Sequence, residues 1–557
     1  MKVTFLGAAN IVTGSNYLIT TESHNILLDC GQFQGSKEDE KLNFLPFAFD
    51  PAAIDFLILS HAHIDHSGRI PKLVKDGFKG KIYCTRATGD LDEILLKDSG
   101  HIHEMETEWE NRKRARAGLE PIEPLFTILD AQESLQYFEP VLYDQMVYIN
   151  DTVRVRFKDA GHILGSSIVE LWVREGEKET KLVFSGDLGM KHRPLLRDPS
   201  YIEDADYLII ESTYGNRIHE NVDSRAMKLV EVILKTIRRG GTVVIPSFAV
   251  GRTQELIYEL NKVYDGDKRV EELLRVPVYI DSPMAISATE IFRKHADCFD
   301  AETREYILRG DNPLDFYNLH FTRSADESIA LNMSEEPKII ISASGMCDAG
   351  RIKHHLKHNL WKKNSSIVFV GYQAAGTLGR IIKDGAKKVK IFGETIGIKA
   401  EIHSIEGFSG HADKDSLMNW LKGFKKLPKK IFVVHGEKES TTGFAQFIKE
   451  ELNVEAIVPN LNDQFDLDYH QVVPFIQKLP MTEGQQEELN LQVDDISVLF
   501  THTLALSEHV LGLKLSAEDY NKIKNQLIEL EKDLLDLGML LGDKDRDDHE
   551  ESEKILS

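Results

Sequence analysis

The chain reads as an α/β protein in which a strand-rich body receives a parallel-sheet insert and carries an acidic helical extension. Three observations predict this. Short β-like runs, each closed by glycine, aspartate or histidine, fill residues 1 to about 206. From about Glu211 to Asp384 strands alternate with helical patterns, as in a sheet covered by crossover helices. Acid then gathers at the end: Met481 to Ser557 holds 19 acidic and 7 basic residues, a net −12 of the chain's −23.

The runs of the first part are "KVTFLG", "NYLIT", "NILLDCG", "FLILSH", "KIYCT", "VRVRFKDAGH", "SSIVELWV", "KLVFSGD" and "YLIIEST". A long helical pattern, "ATGDLDEILLKDSGHIHEMETEWENRKRARAG", interrupts them. In the middle part "GGTVVIPSF" precedes the helical "RTQELIYELNKVY", "KIIISASG" precedes "AGRIKHHLKHNLW", and "SIVFVGY" precedes "GTLGRIIKDG". Strands return from about Lys387 to Phe475, among them "KKIFVVHG". The extension is predicted to be helical from about Ser516 to Leu541. Ser516 suits the cap, Asp519 suits the first turn, and Leu527, Leu530, Leu534 and Leu537 repeat at helical spacing. That leucine stripe suits packing on the catalytic body or on a second copy, which makes a homo-oligomer an expectation.

A chain of 557 residues, 42% hydrophobic and 28% charged, has ample core for several domains. It has no apolar run of about 18 residues, so no membrane partner is expected. Cys30, Cys84, Cys298 and Cys347 form no CxxC pair, which fits reduced thiols and a cytoplasmic location. The strong negative charge argues against nucleic-acid binding by bulk electrostatics, yet half of it sits in the extension.

The chemistry is densest in "LSHAHIDHSG". Zinc takes neutral imidazole nitrogens and carboxylate oxygens. Alternate residues of an extended segment share a face, so His61 and His63 can serve one ion, while Asp65 and His66 past the turn serve a second. Strand ends supply candidates to complete both: His162 in "DAGHILGSS", Asp187 in "FSGDLG" and His435 in "VVHGE". A carboxylate can bridge two cations about 3.5–4 Å apart. The expected set is His61, His63 and His162 on one ion, Asp65, His66 and His435 on the other, with Asp187 between. Taken alone, His435 reads more readily as a surface or turn residue than as a ligand.

"LLDCG", "HAHIDHSG", "AGHILGSS" and "FSGDLG", in that order, resemble the metallo-β-lactamase fold. "IIESTYG", "PSFAVGRTQEL", "SASGMCDAGRIKHHL", "GYQAAGTLGR", "FSGHAD" and "VVHGE" narrow the resemblance to its β-CASP branch of nucleic-acid hydrolases. Within that branch the chain is similar to the endonuclease subunit of the pre-mRNA cleavage and polyadenylation machinery and its bacterial and archaeal relatives. The resemblance implies an αββα sandwich whose first part spans residues 1–208, a β-CASP domain over 209–385, and a second sandwich part of RNA-metabolising type over 386–475. It does not reach the acidic helical extension over 476–557.

The resemblance also implies roles. Two Zn²⁺ per chain activate a hydroxide for in-line attack on phosphorus. Asp29 orients the metal loop without ligating. His411 matches the motif of the general acid and Glu211 that of its orienting carboxylate, a pairing that raises an imidazole's pKa. A helix or turn cap is the other reading of Glu211. Ser344, Gly345 and Arg351 at one strand-to-helix junction, and Arg252 at another, are candidates for binding phosphate; tight structural turns are the other reading. A histidine at position 435 accompanies RNA-acting members. The expected activity is endonucleolytic cleavage of single-stranded RNA, with a 5′-exonuclease mode. A small-ester or thioester hydrolase on the same fold, and an inactive RNA-processing scaffold subunit, are the competing readings. The first leaves the large insert unexplained, and the second is at odds with the retention of all seven ligands.

Overall fold

A computed structural model of the protein describes residues 1–219, 225–266, 276–371, 373, 376–405, 410–467 and 470–471. The expected acidic helical extension, including the stretch from Ser516 to Leu541, lies outside the described residues. Met1–Ile307 and Asn312–Ile476 form one compact unit.

The body of that unit is two facing sheets. A seven-stranded sheet runs in the order Gln464–Asp466, Lys2–Phe5, Tyr17–Thr20, Asn25–Leu28, Phe56–Ile58, Lys81–Thr85, Phe138–Val141. The second sheet runs Glu455–Ile457, Lys430–Val434, Tyr207–Glu211, Lys178–Phe184, Ser167–Glu175, Val153–Asp159, Val147–Tyr148, with His470–Gln471 added against Lys178–Phe184. Alternation assigns the faces. In "VRVRFKD" every other side chain is buried, so Val153, Val155 and Phe157 point inward. They join Val3, Phe5, Tyr17, Ile26, Phe56, Leu182, Tyr207 and Phe432 in one core between the sheets. The opposite faces are covered by helices. Ile70 and Leu73 pack on Leu57 and Ile82 of the first sheet, and Leu417, Phe444 and Ile448 pack on Val183, Leu208 and Ile431 of the second. The result is the αββα sandwich the sequence predicts.

The insert supplies a third sheet of six parallel strands, ordered Leu319–Phe321, Val278–Ile280, Lys338–Ser342, Thr242–Pro246, Ser366–Phe369, Glu401–Ser404. Its central strands read as unbroken apolar runs because both faces are buried. Leu229, Ile233, Leu256 and Phe292 cover one face, and Ile352, Leu356 and Ile382 cover the other. The edge strand Glu401–Ser404 lies past the boundary expected after residue 385. The hairpin Lys388–Ile391/Glu394–Gly397 also packs its Val389 and Ile391 with the insert's core. The predicted long helix is Arg86–Arg116, started by a Thr85 cap. All four cysteines are buried and free. No helix among the described residues is long and apolar enough to cross a membrane.

Candidate metal centre and active site

Strand ends build the site. Asp29 follows Asn25–Leu28, and the histidine loop follows Phe56–Ile58. Asp187 follows Lys178–Phe184, Glu211 ends Tyr207–Glu211, and His435 follows Lys430–Val434. The last three strands are parallel neighbours, so their carboxyl ends deliver side chains to one edge. His162 comes from the turn between Val153–Asp159 and Ser167–Glu175. The backbone turns sharply where each chain leaves its sheet: Asp29 and His435 both adopt positive φ, 56° and 50°. Gly31 is needed where the chain passes under the metal loop, because a Cβ there would stand 1.7 Å from the Asp65 carbonyl oxygen.

The expected ligands converge as two groups. His61, His63, His162 and Asp187 have ligand atoms within 4.8 Å of one another, and so do Asp65, His66 and His435. In the first group His63 Nδ1 lies 3.2 Å from both His61 Nε2 and His162 Nε2. In the second, His435 Nε2 lies 3.0 Å from His66 Nε2 and 3.4 Å from Asp65 Oδ2. Asp187 faces both. Its Oδ2 is 3.6 Å from His61 and 3.5 Å from His162, while its Oδ1 is 3.4 Å from His66 and 3.5 Å from His435. Four ligands at about 2.0–2.1 Å from a tetrahedral ion stand about 3.3 Å apart, so these spacings suit one cation in each group. Asp187 Oδ1 is buried with no hydrogen-bond partner among the described residues. Such an atom is costly unless a cation or a donor meets it.

The imidazoles are held with their far nitrogens toward this space. Asp29 accepts from His66 Nδ1 at 2.6 Å, and also from the Ser15 hydroxyl and from the Ser60 hydroxyl and amide. As a buried carboxylate it fixes the proton on Nδ1 and frees Nε2. Ser60 Oγ stands 3.1 Å from His61 Nδ1, and His162 Nδ1 donates to the Gly410 carbonyl at 3.1 Å. Thr213 Oγ1 meets His435 Nδ1 at 3.1 Å.

Burial holds His61 and His162 well below the ordinary histidine range and His63 at about 4, so all three are neutral near pH 7 and ready to ligate. Burial acts the same way on His66, but Asp187, Asp29 and Asp65 outweigh it and raise that imidazole's pKa. A cation at Nε2 would take the place of that proton.

Beside the metal groups, His411 Nδ1 lies 3.3 Å from Glu211 and 3.7 Å from Asp187. Glu211 is buried, and its carboxylate accepts the Leu188 amide at 2.7 Å and the Thr213 amide at 3.3 Å. Burial opposes charge on His411; the Glu211 and Asp187 carboxylates overcome it and lift the pKa to about 9. The side chain is 21% exposed, against 0% for His61. It therefore reaches outward, as the partly exposed His63 also does. Asp413, capping the helix Lys414–Leu421, anchors the loop just after it.

The two arginines expected at phosphate each have partners within the protein. Arg252 is buried and paired with Glu255, three residues along the same helix, rather than offered to a ligand. Arg351 donates to Asp281 Oδ1 at 2.6 Å and to the carbonyls of Thr322 and Arg323. Ser344 and Gly345 lie in the loop after Lys338–Ser342, several residues ahead of the helix Ile352–Asn359. Sequence reading missed Ser15, Ser60, Thr213 and Arg193. Ser60 and Thr213 carried a signal, each beside a named site residue; Ser15 and Arg193 carried none.

Comparison with known proteins agrees with this construction. Residues 10–139 match the metallo-beta-lactamase superfamily, 253–382 the Beta-Casp domain, and 395–459 the Zn-dependent metallo-hydrolase RNA specificity domain. The chain is 38% identical to ribonuclease TTHA0252 of Thermus thermophilus over 448 residues, covering 80% of this chain and 96% of the relative. The chain belongs to the β-CASP ribonucleases of the metallo-β-lactamase superfamily. It is, as a member, a metal-dependent ribonuclease. It is also 34% identical to the transcription termination factor FttA of Methanocaldococcus jannaschii, covering 82% of this chain and 70% of that one. An RNase J-like protein of the same archaeon is 33% identical, with 82% and 97% covered.

Proposed function

We propose that this β-CASP ribonuclease cleaves single-stranded RNA endonucleolytically, with a 5′-exonuclease mode, at a site holding two zinc ions. The observation that carries the reading is Asp187, whose two oxygens each face a separate ligand group. His61, His63 and His162 would hold one ion, Asp65, His66 and His435 the other, and Asp187 both. Bound there, two such ions would supply an activated water and would neutralise charge on the scissile phosphate.

The chain's own residues do the rest. Asp29 orients His66 and takes no ligand position. Glu211 accepts the proton on His411 Nδ1, so that Nε2 carries the proton given to the leaving oxygen. A pKa of about 9 keeps that imidazole charged, and neighbouring cations would draw the value down toward the range in which it can release the proton. The insert forms the wall that a long substrate requires. Ser344 and Gly345 are the candidates for touching phosphate along it. We place the end of the insert near residue 405, after its last strand. The extension from residue 476 would join two copies; size-exclusion chromatography of the chain ended at residue 480 should show a smaller assembly, and an unchanged mass would refute this.

The RNA assignment rests on the matched RNA specificity domain and on His435. Single-stranded RNA labelled at either end should be cut, giving internal products, while DNA of the same sequence is cut poorly or not at all. Equal rates on both would defeat the assignment.

A further inference from the structure

A buried guanidinium links the insert to the candidate metal centre. Arg193 lies six residues after Asp187, and its side chain is 7% exposed. Its Nη1 donates to the Gly410 carbonyl at 2.9 Å and to the His162 carbonyl at 3.2 Å. Its Nη2 donates to Glu255 Oε2 at 2.8 Å. Glu255 belongs to the insert helix Arg252–Gly266 and is itself buried among Arg193, Arg225 and Arg252.

The Gly410 carbonyl therefore has two donors. Arg193 holds it from one side, and His162 Nδ1 holds it from the other at 3.1 Å. It immediately precedes His411. The approach is tight, since a Cβ on Gly410 would stand 3.1 Å from His162 Cε1 and 3.8 Å from Arg193 Nη1. One charged fork thus fixes the backbone of a candidate ligand, the hydrogen bond that orients that ligand's ring, and the residue before the candidate acid. A guanidinium suits this because its donors are planar and can serve several acceptors at once; a lysine ammonium is a single point.

We propose that Arg193, anchored by Glu255, is a positioning residue that ties the insert to His162 and His411. This rests on the roles given to those two histidines above. Displacement of the insert helix would be carried through Glu255 and Arg193 to the Gly410 carbonyl, and a misplacement on the order of 1 Å at a reacting group costs roughly 10²-fold in rate.

The test uses the full chain loaded with zinc and the variants Arg193→Lys, Glu255→Gln and the double variant. Arg193→Lys should lower kcat on single-stranded RNA by roughly 10–100-fold with KM nearly unchanged. It should also release zinc to a chelator faster than wild type, while circular dichroism and Tm report a folded protein. Glu255→Gln should act in the same direction, and the double variant should fall well short of the product of the two single effects, because both changes break the Arg193–Glu255 connection while Glu255→Gln also loosens Arg225 and Arg252. Wild-type kcat and zinc release in Arg193→Lys would overturn the proposal, as would effects that multiply in the double variant or a loss that only follows the folded fraction. Should Arg193→Lys fail to fold, Glu255→Gln decides by the same two readouts. A wild-type chain that does not cut RNA would refute the proposed function, and the zinc-release comparison would still judge Arg193.

Discussion

His411→Ala should slow RNA cleavage by roughly 10²–10⁴-fold while leaving the metal content unchanged, the usual worth of a positioned acid. The separation follows from the geometry. His411 sits outside the two ligand groups, within each of which imidazole nitrogens stand about 3 Å apart, and it faces Glu211 instead. Removing it takes away a proton donor and leaves His61, His63, His162, Asp65, His66 and His435 with their own supports. The loss should appear in kcat rather than in KM, since the proton is needed only as the leaving oxygen separates. Single-turnover rates with elemental analysis of the same sample check both halves. A wild-type rate would remove His411 from the chemistry, and metal loss would move it among the ligands.

Asp187→Asn should have the larger effect. The carboxylate sets one oxygen beside each ligand set, and burial leaves it no water to fall back on. His435, His66 and His411 hold its pKa well below the carboxylate range although burial alone would raise it, so it is an anion throughout the working range. An amide keeps the shape and removes the charge. The variant should stay folded, bind fewer than two ions and cleave RNA at least about 10³-fold more slowly, because the cations contribute several kcal/mol of charge stabilisation. Equilibrium dialysis against zinc with a parallel cleavage assay reads both. Full occupancy with normal cleavage would show that Asp187 bridges nothing.

The parts of this site that the sequence disclosed are those with several ligand-type residues close together or a strand end marked by a histidine or aspartate. Four potential ligands between His61 and His66 have no packing purpose, so their role was legible from spacing alone. The αββα body was legible too, because period-two burial in runs such as "VRVRFKD" needs one covered face. Other features were hidden for physical reasons. The pairing of Arg351 with Asp281 was hidden because its partner lies 70 residues away in sequence. The partner of Arg252 was nearer: Glu255 is one helical turn along, and the pair is visible in "RTQE". Arg193 could not be found at all, since its role exists only when Gly410, His162 and Glu255 are brought together from three distant segments. The pairing of Glu401–Ser404 with Ser366–Phe369 was hidden because that strand reads like any strand of the body.

Elemental analysis of the chain purified without chelator tests the central claim most directly, which is that Asp187 joins two complete metal groups. The account predicts close to two equivalents of zinc per chain, loss of RNA cleavage when a chelator strips them, and recovery of both on adding zinc. A content near one equivalent, or near zero with no recovery on added zinc, would contradict it.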